Sequence, residues 1–328
     1  MPARCRAGRN SVMRILVLGA GALGGYFGGR LLEAGAEVGF LVRPRRRAQL
    51  QQNGLVIESP FGALRRPVTA IAAEEAKPGW DLILLTCKAY DLEDAIAAIR
   101  PAVDARTAIL PVLNGLSHIE RLQREFGTER VLGGLAKIQA TLAPDGTVKH
   151  LNDWRYLTFG ETDGRMSPRV QALAEICARA PGVVAQAVPD VMFRMWEKLV
   201  HLGTSAIGTV LMRGNVGEIA RAPGGAALMH RVLERNAAIA AANGHPMREA
   251  YLEEFRALFA DPTSAYSTSM LRDLESGGRI EADHILGFLL EAARRAGVPE
   301  ELHEAAYIHA KAYEQRRDAG RLPARSPA

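Results

Sequence analysis

Arg14–Gly29 reads RILVLGAGALGGYFGG. Ile15 to Leu18 is an uninterrupted apolar run, which predicts a short strand buried on both faces. Gly19, Gly21 and Gly24 then stand at G-x-G-x-x-G spacing, and Tyr26 to Ala34 continues as an apolar-rich helix. In a strand–turn–helix setting this is a dinucleotide-binding fingerprint, and each glycine has a physical task. Gly19 permits the tight turn, and Gly21 lets backbone approach a pyrophosphate. Gly24 lets the helix pack closely on the strand, with its first N–H groups aimed at the phosphates. Ala20, Ala22 and Leu23 complete the loop and count with the glycines as cofactor-binding candidates. A glycine-rich turn alone would say little in a chain with 32 glycines; the strand before it and the helix after it supply the specificity.

Working outward, Glu37 to Val42 predicts a second strand that closes a βαβ unit. An Asp or Glu at the end of that strand would take a free ribose 2′-hydroxyl. This chain has Arg43, Pro44, Arg45, Arg46 and Arg47 instead. A guanidinium binds a 2′-phosphate through paired charge-assisted hydrogen bonds, where a carboxylate would repel it. Arg43 is the leading contact, and the expected cofactor is NADP(H). The remaining strand patterns follow in order: a hairpin over Gly54 to Ala70, Trp80 to Thr86, Thr107 to Leu113, Val131 to Thr141, Thr147 to His150, Trp154 to Phe159, and a last strand within Pro181 to Pro189. A helix is expected over Leu92 to Ile99 and another over Arg169 to Ala180. Lys88 and Asn114 both fall just past carboxyl ends of predicted parallel strands, the edge where open α/β sheets bind ligands.

From Val191 the texture changes to helical periodicity: Val191 to Met212, Gly225 to Asn243, Met247 to Leu258, Ser269 to Ser276, Glu281 to Ala296 and Glu300 to Arg317. The reading is therefore an α/β chain with an N-terminal Rossmann-like dinucleotide-binding domain over 13–189 and an all-helical C-terminal domain over 190–318. Residues 1–12 read as a disordered extension and 319–328 as a disordered tail.

The 328 residues carry a formal charge of +5. Many arginines lie near the two ends or in the 43–47 run, and no nucleic-acid-reading motif accompanies them, so a nucleic-acid partner is not expected. No apolar stretch approaches the roughly 20 residues needed to cross a bilayer. Three cysteines without paired spacing indicate neither a disulfide framework nor a metal site, which suits a reducing cytoplasm.

A nicotinamide needs a proton donor beside the substrate, and the helical domain offers one. Lys198 interrupts an otherwise apolar helix, and burial there would lower its pKa toward the working range of a general acid. Glu281 begins a helix, where the dipole favours a carboxylate whether or not it has a further role. Ser269 is an N-cap candidate. His201 and His284 read as structural or solvent-facing.

Taken together, GAGALGGYFGG (19–29), Arg43, TCKAYD (86–91), LNG (113–115), PDGTVKH (144–150), WEKL (196–199), SM (269–270) and IEADHILGFL (280–289) resemble the ketopantoate reductase (2-dehydropantoate 2-reductase) family. The likeness runs from Met13 to about Gln315. It implies a C-terminal domain like that of 6-phosphogluconate dehydrogenase. The reaction it implies is NADPH-dependent reduction of a 2-oxo acid, with ketopantoate to pantoate, a step of pantothenate biosynthesis, as the leading case. Lys198 and Glu281 match the family's catalytic pair, Glu281 also facing the cofactor. Lys88 and Asn114 match contacts to cofactor and substrate, and Ser269 a substrate contact. Where characterised members have substrate-holding asparagines, this chain has Leu202, Ala206 and Tyr266, with Ser205 nearby as a further substrate-binding candidate. Leu286 replaces another asparagine before Gly287. The resemblance thus leaves room for a related 2-oxo acid. Two other classes are an NADP(H)-binding sensor without turnover and a neighbouring hydroxy acid dehydrogenase. The apolar helical faces also suit a homodimer.

Overall fold

Two compact units make up the chain in the computed structural model, which describes residues 12–322. Of the extension expected over 1–12, all but Val12 lies outside the described residues; of the tail expected over 319–328, 319–322 are described and 323–328 lie outside. The first unit takes in the chain to Cys87, Asp91–Leu113 and Arg121–Val191; the second takes in Lys88–Tyr90, Asn114–Glu120 and the chain from Met192.

The first unit opens with β1 (Arg14–Leu18), α1 (Ala22–Glu33), β2 (Glu37–Leu41) and α2 (Pro44–Asn53). There follow β3 (Leu55–Glu58), β4 (Leu64–Arg66), β5 (Thr69–Ile71), β6 (Leu82–Leu85), α3 (Leu92–Ile99), β7 (Ala108–Pro111) and α4 (Ser117–Phe126), whose residues up to Glu120 count with the second unit. β8 (Leu132–Leu142), β9 (Val148–Glu161), α5 (Pro168–Arg179) and β10 (Val184–Ala187) complete it. One sheet is parallel throughout, in the order β5-β2-β1-β6-β7. Every residue of β6, LILL, is buried, as expected for a strand covered on both faces. The second sheet runs β10-β9-β3-β4, with β8 antiparallel to β9.

The structure revises the strand reading in two places. The stretches over Thr147–His150 and Trp154–Phe159 are one 14-residue strand, β9, pairing with β8 through a register shift between Ile138 and Ala140. The hairpin covers only β3 and β4; β5 leaves it to join the parallel sheet beside β2. The arginine run, given no element from sequence, forms the N-cap and first turn of α2. Polar along most of its length, α2 buries only Leu50, so it has too little apolar periodicity to be read.

The second unit continues with α6 (Val191–Met212), α7 (Val216–Arg221), α8 (Gly225–Ala242), α9 (Glu249–Ala260), α10 (Ser269–Glu275), α11 (Phe288–Ala296) and α12 (Glu301–Asp318). α7 is too short to show a period, but its start is written in Asn215-x-x-Glu218, a capping box closed in both directions at 2.9 and 2.7 Å. A buried polar chain links three helices of this unit: Asn236 Nδ2 donates to Thr204 Oγ1 at 2.9 Å, and its Oδ1 pairs with His303 Nε2 at 2.9 Å. Burial lowers the His303 pKa to about 4, so this imidazole stays neutral.

One helix departs from expectation in a way that matters below. The segment read as continuous from Glu281 begins with a π-helical turn, Asp283–Gly287, before α11. Such turns hold one residue more than α geometry and are frequent at functional sites. Among the described residues, no helix is long and apolar enough to cross a membrane, and no cluster of His, Cys, Asp and Glu could hold a metal ion.

Candidate active site

In the first unit the glycine turn is as close as its spacing implied. Gly19 has φ +91°, and Thr86 Oγ1 donates to the Leu18 carbonyl at 2.8 Å behind it. A Cβ on Gly24 would lie 2.0 Å from the Gly19 carbonyl oxygen and 2.5 Å from Thr86 Oγ1, so only glycine fits where α1 crosses the turn. A Cβ on Gly21 would meet nothing within 4 Å. Gly21 is the N-cap of α1 and offers it no side-chain bond, and no acid occupies the first turn. The N-terminus of α1 is therefore open to an anion, the arrangement a pyrophosphate requires.

At the end of β2, Arg43 is 74 % exposed and pairs with Asp91 at 3.1 Å. Arg45 is also exposed. Arg46 turns inward instead. Its Nε donates to the Ala20 carbonyl and one terminal nitrogen to that of Gly146, both at 2.8 Å, so it braces the glycine turn. Arg47 pairs with Glu75 at 2.8 Å. Three arginines in a helix's first turn oppose its dipole unless an anion shares the site. These residues fit the phosphates of NADP(H): an uncapped helix start behind a glycine turn, and exposed guanidinium charge at the second strand's end.

The second unit holds the titratable groups. Glu281, at 6 % exposure, accepts from the Ala89 backbone N–H at 3.1 Å and lies 3.7 Å from Lys88 Nζ. Lys88 also reaches Asp273 at 3.4 Å. Burial works against the Lys88 charge, but Glu281 and then Asp273 outweigh it and leave its pKa raised. Lys198, on α6, behaves oppositely. Burial is the dominant effect, only partly offset by the Glu281 carboxylate, and its pKa falls to about 8. Lys88 and Lys198, drawn from separate stretches, thus both answer to the Glu281 carboxylate.

Asn114 is the middle residue of LNG, and Gly115 follows it at φ +85°. A Cβ there would lie 2.8 Å from His284 Cδ2. That ring, expected to be structural or solvent-facing, belongs to this site. Its Nδ1 is 2.7 Å from Ser117 Oγ, and its Nε2 is 3.1 Å from His118 Nδ1. A cleft of about 480 Å³ beside it is lined by Ser117, Glu281, His284, Tyr90, Arg279 and Arg317, among others. Ser117 and His118 escaped the sequence reading; their signal was a hydroxyl and an imidazole opening a helix directly after the Asn-Gly turn.

Two further expectations change. The N-cap of α10 is Thr268, whose hydroxyl accepts from Leu271 N at 3.1 Å, so Ser269 is its first helical residue. Ser205 is fully buried and donates to the His201 carbonyl at 2.8 Å, so its hydroxyl proton is already committed within the helix. It also hydrogen-bonds Tyr266. The Tyr266 ring stacks on His201 at 5.4 Å, and His201 on Phe255 at 4.3 Å. Ala206 and Leu286 are buried.

A glycine cradle for a pyrophosphate, arginines at the ribose end of the second strand, and a partly buried lysine whose pKa is lowered by desolvation define a nicotinamide-dinucleotide-dependent oxidoreductase. Comparison with known proteins gives the family. Residues 15–164 match the model described as ketopantoate reductase PanE/ApbA, and residues 190–314 match its C-terminal counterpart. The chain is 34% identical to the uncharacterized oxidoreductase YkpB of Bacillus subtilis over 304 residues, 92% of this chain and 99% of that protein. It is 31% identical to a 2-dehydropantoate 2-reductase of Archaeoglobus fulgidus, covering 88% of this chain and 93% of the other. A crystal structure of 2-dehydropantoate 2-reductase from Methylococcus capsulatus superposes with a TM-score of 0.82 at 29% identity, covering 93% and 98%. The chain belongs to the ketopantoate reductase family, NADP-dependent oxidoreductases acting on CH–OH groups.

Proposed function

We propose that this protein reduces a 2-oxo acid to the 2-hydroxy acid, with ketopantoate to pantoate as the leading reaction and Lys198 as the proton donor. The observation that carries the reading is Lys198 itself: an ammonium with a pKa of about 8, opposite Glu281, in a helix otherwise given to packing. NADPH, when bound, supplies hydride to C2 of the substrate. Lys198 Nζ then gives its proton to the C2 oxygen as negative charge develops there, and its own charge stabilises that oxygen beforehand.

The other roles follow from position. The turn from Gly19 to Gly24, through Ala20, Gly21, Ala22 and Leu23, holds the pyrophosphate, and Arg43 the 2′-phosphate. Glu281, fixed by the Ala89 N–H and Lys88, orients hydroxyl groups of the cofactor or substrate. Lys88 and Asn114 hold the substrate carboxylate and the nicotinamide end. Ser269 contacts substrate, while Ser205 acts through Tyr266, whose ring it anchors. The domains are assigned to these tasks over 13–189 and 190–318.

A second reading concerns which 2-oxo acid is used. Leu202, Ala206, Tyr266 and Leu286 replace hydrogen-bonding groups with apolar or aromatic ones, and Tyr266 is locked in a stack with His201 and Phe255. Each hydrogen bond not made to ketopantoate's hydroxyl is worth about 0.5–1.5 kcal/mol. Two or three together would lower kcat/KM roughly 10- to 1000-fold, favouring a substrate with a purely apolar side chain. Steady-state NADPH oxidation with ketopantoate, 2-oxoisovalerate and phenylpyruvate tests both readings. Turnover with at least one is expected, fastest where the side chain lacks a hydroxyl. Tight NADPH binding with no oxidation of the cofactor by any of them would instead identify a sensor.

A further inference from the structure

PDGTVKH (144–150) takes no part in the chemistry above, yet it is packed against α1 and bonded toward the glycine turn. It joins β8 to β9. Gly146, at φ +90°, sits in a tight turn: its N–H donates to the Ala143 carbonyl at 2.9 Å, and Ala143 N to the Thr147 carbonyl at 2.8 Å. Asp145 fixes the turn from the side, accepting from the Thr147 N–H at 2.9 Å and the Thr147 hydroxyl at 3.1 Å. β9 then alternates buried Val148 and His150 with exposed Lys149. Both buried side chains meet α1. A Cβ on Gly25 would lie 2.7 Å from Val148 Cγ2, and the His150 ring packs on Tyr26 with centroids 4.8 Å apart.

Arg46, on α2, completes the connection. Its Nε donates to the Ala20 carbonyl and its Nη1 to the Gly146 carbonyl, both at 2.8 Å, so one rigid guanidinium spans the two turns. Gln49, one helical turn on, donates to the Pro144 carbonyl at 3.2 Å and offers its own oxygen to Arg46 Nη1 at 3.3 Å. A Cβ on Gly146 would collide with Nη1, so the hairpin turn is shaped to the arginine. Burial works against the Arg46 charge, and the Asp145 carboxylate of the same turn supports it. Ala20 stands between Gly19 and Gly21, inside the fingerprint. In a trans peptide, the form of every peptide described here, a carbonyl and the N–H that follows it point opposite ways. The bond that draws the Ala20 carbonyl toward Arg46 therefore turns the Gly21 N–H to the other side of the turn.

We propose that Arg46 is a positioning residue for the cofactor's pyrophosphate: braced by the β8–β9 turn, it holds the Ala20–Gly21 peptide so that the Gly21 N–H and the start of α1 face the phosphates. Arg43 and Arg46, three residues apart, then divide the work. The first answers the 2′-phosphate and chooses between NADPH and NADH; the second sets the affinity for the part that both cofactors share. This inference rests on the glycine turn being the pyrophosphate site.

Arg46→Met removes both bonds and keeps an unbranched stem. The probes are ADP-ribose, which carries the pyrophosphate, and 2′-AMP, which carries the 2′-phosphate without it, each titrated by calorimetry. Arg46→Met should weaken ADP-ribose, NADH and NADPH alike by about tenfold and leave 2′-AMP unchanged. Arg46→Lys keeps the charge but has one nitrogen for two carbonyls, so it should lose nearly as much. Gly146→Ala, which pushes the guanidinium from the hairpin side, should reproduce the pattern and stands as the test if the Arg46 variants do not fold. Unchanged ADP-ribose affinity in Arg46→Met, full affinity in Arg46→Lys, or a loss of 2′-AMP in parallel with ADP-ribose would each overturn the proposal. ADP-ribose binding left untouched by Gly21→Ala as well would instead refute the glycine turn as the pyrophosphate site.

Discussion

Replacing Lys198 by methionine should make the protein more stable and nearly inactive at once. Burial brings the lysine pKa from its ordinary 10.5 to about 8. At roughly 1.4 kcal/mol per pH unit, holding the charged ammonium in the folded chain costs about 3 kcal/mol. The penalty applies in full below pH 8, where both folded and unfolded chains carry the charge. Between pH 8 and 10.5 the folded chain releases the proton while the unfolded chain keeps it. The unfolded state then binds more protons, so wild-type stability rises with pH across that window. Lys198→Met fills a similar volume without the charge. It should therefore exceed wild type by about 2–3 kcal/mol at pH 7, and the difference should shrink toward zero near pH 10.5. Urea melts of both proteins at pH 7, 8.5 and 10 measure this directly, and the slopes should match. Turnover should fall about 10²–10⁴-fold. A variant less stable than wild type at pH 7, or a difference that does not change with pH, would refute the picture of a charge held against its own burial.

Two further outcomes test the cofactor half. Arg43→Glu should weaken NADPH much more than NADH in fluorescence titrations, because the exposed guanidinium at the second strand's end answers a 2′-phosphate; equal weakening would remove Arg43 from that role. Gly24→Ala places a methyl 2.0 Å from the Gly19 carbonyl oxygen, so α1 must shift off the turn. NADPH affinity should drop at least tenfold with a lowered Tm, whereas Gly21→Ala, whose methyl meets no protein atom within 4 Å, should lose affinity while keeping Tm.

How legible the molecule was from its sequence depended on what each residue answers to. The parallel sheet was plain because β1, β6 and β7 are buried runs of branched apolar residues, and α6 because 22 residues keep one period. α2 and α7 were missed for opposite reasons: one buries a single leucine, and the other is six residues long. In the candidate site, Lys198 and Glu281 stood out as charges in apolar surroundings. His284 did not, since an imidazole on a helix is ordinary and its partners, Ser117 and His118, lie more than 160 positions earlier. Arg46 was hidden among its neighbours; only the turn it braces distinguishes it from Arg45.

The π turn at Asp283–Gly287 has a consequence for how this helix can change over time. Downstream, α11 buries Leu289, Leu290, Ala292 and Ala293. Upstream, Glu281 answers to chemistry, and His284 lies within the turn itself. The widened turn spends its extra residue on a single revolution, so the flanks sit as they would on an α-helix one residue shorter. Deleting one residue there would therefore leave Glu281 and the packing stripe near their places and remove only what the turn presents. The five residues thus form a local insertion whose loss the helix can accommodate, with His284 as the side chain it would displace.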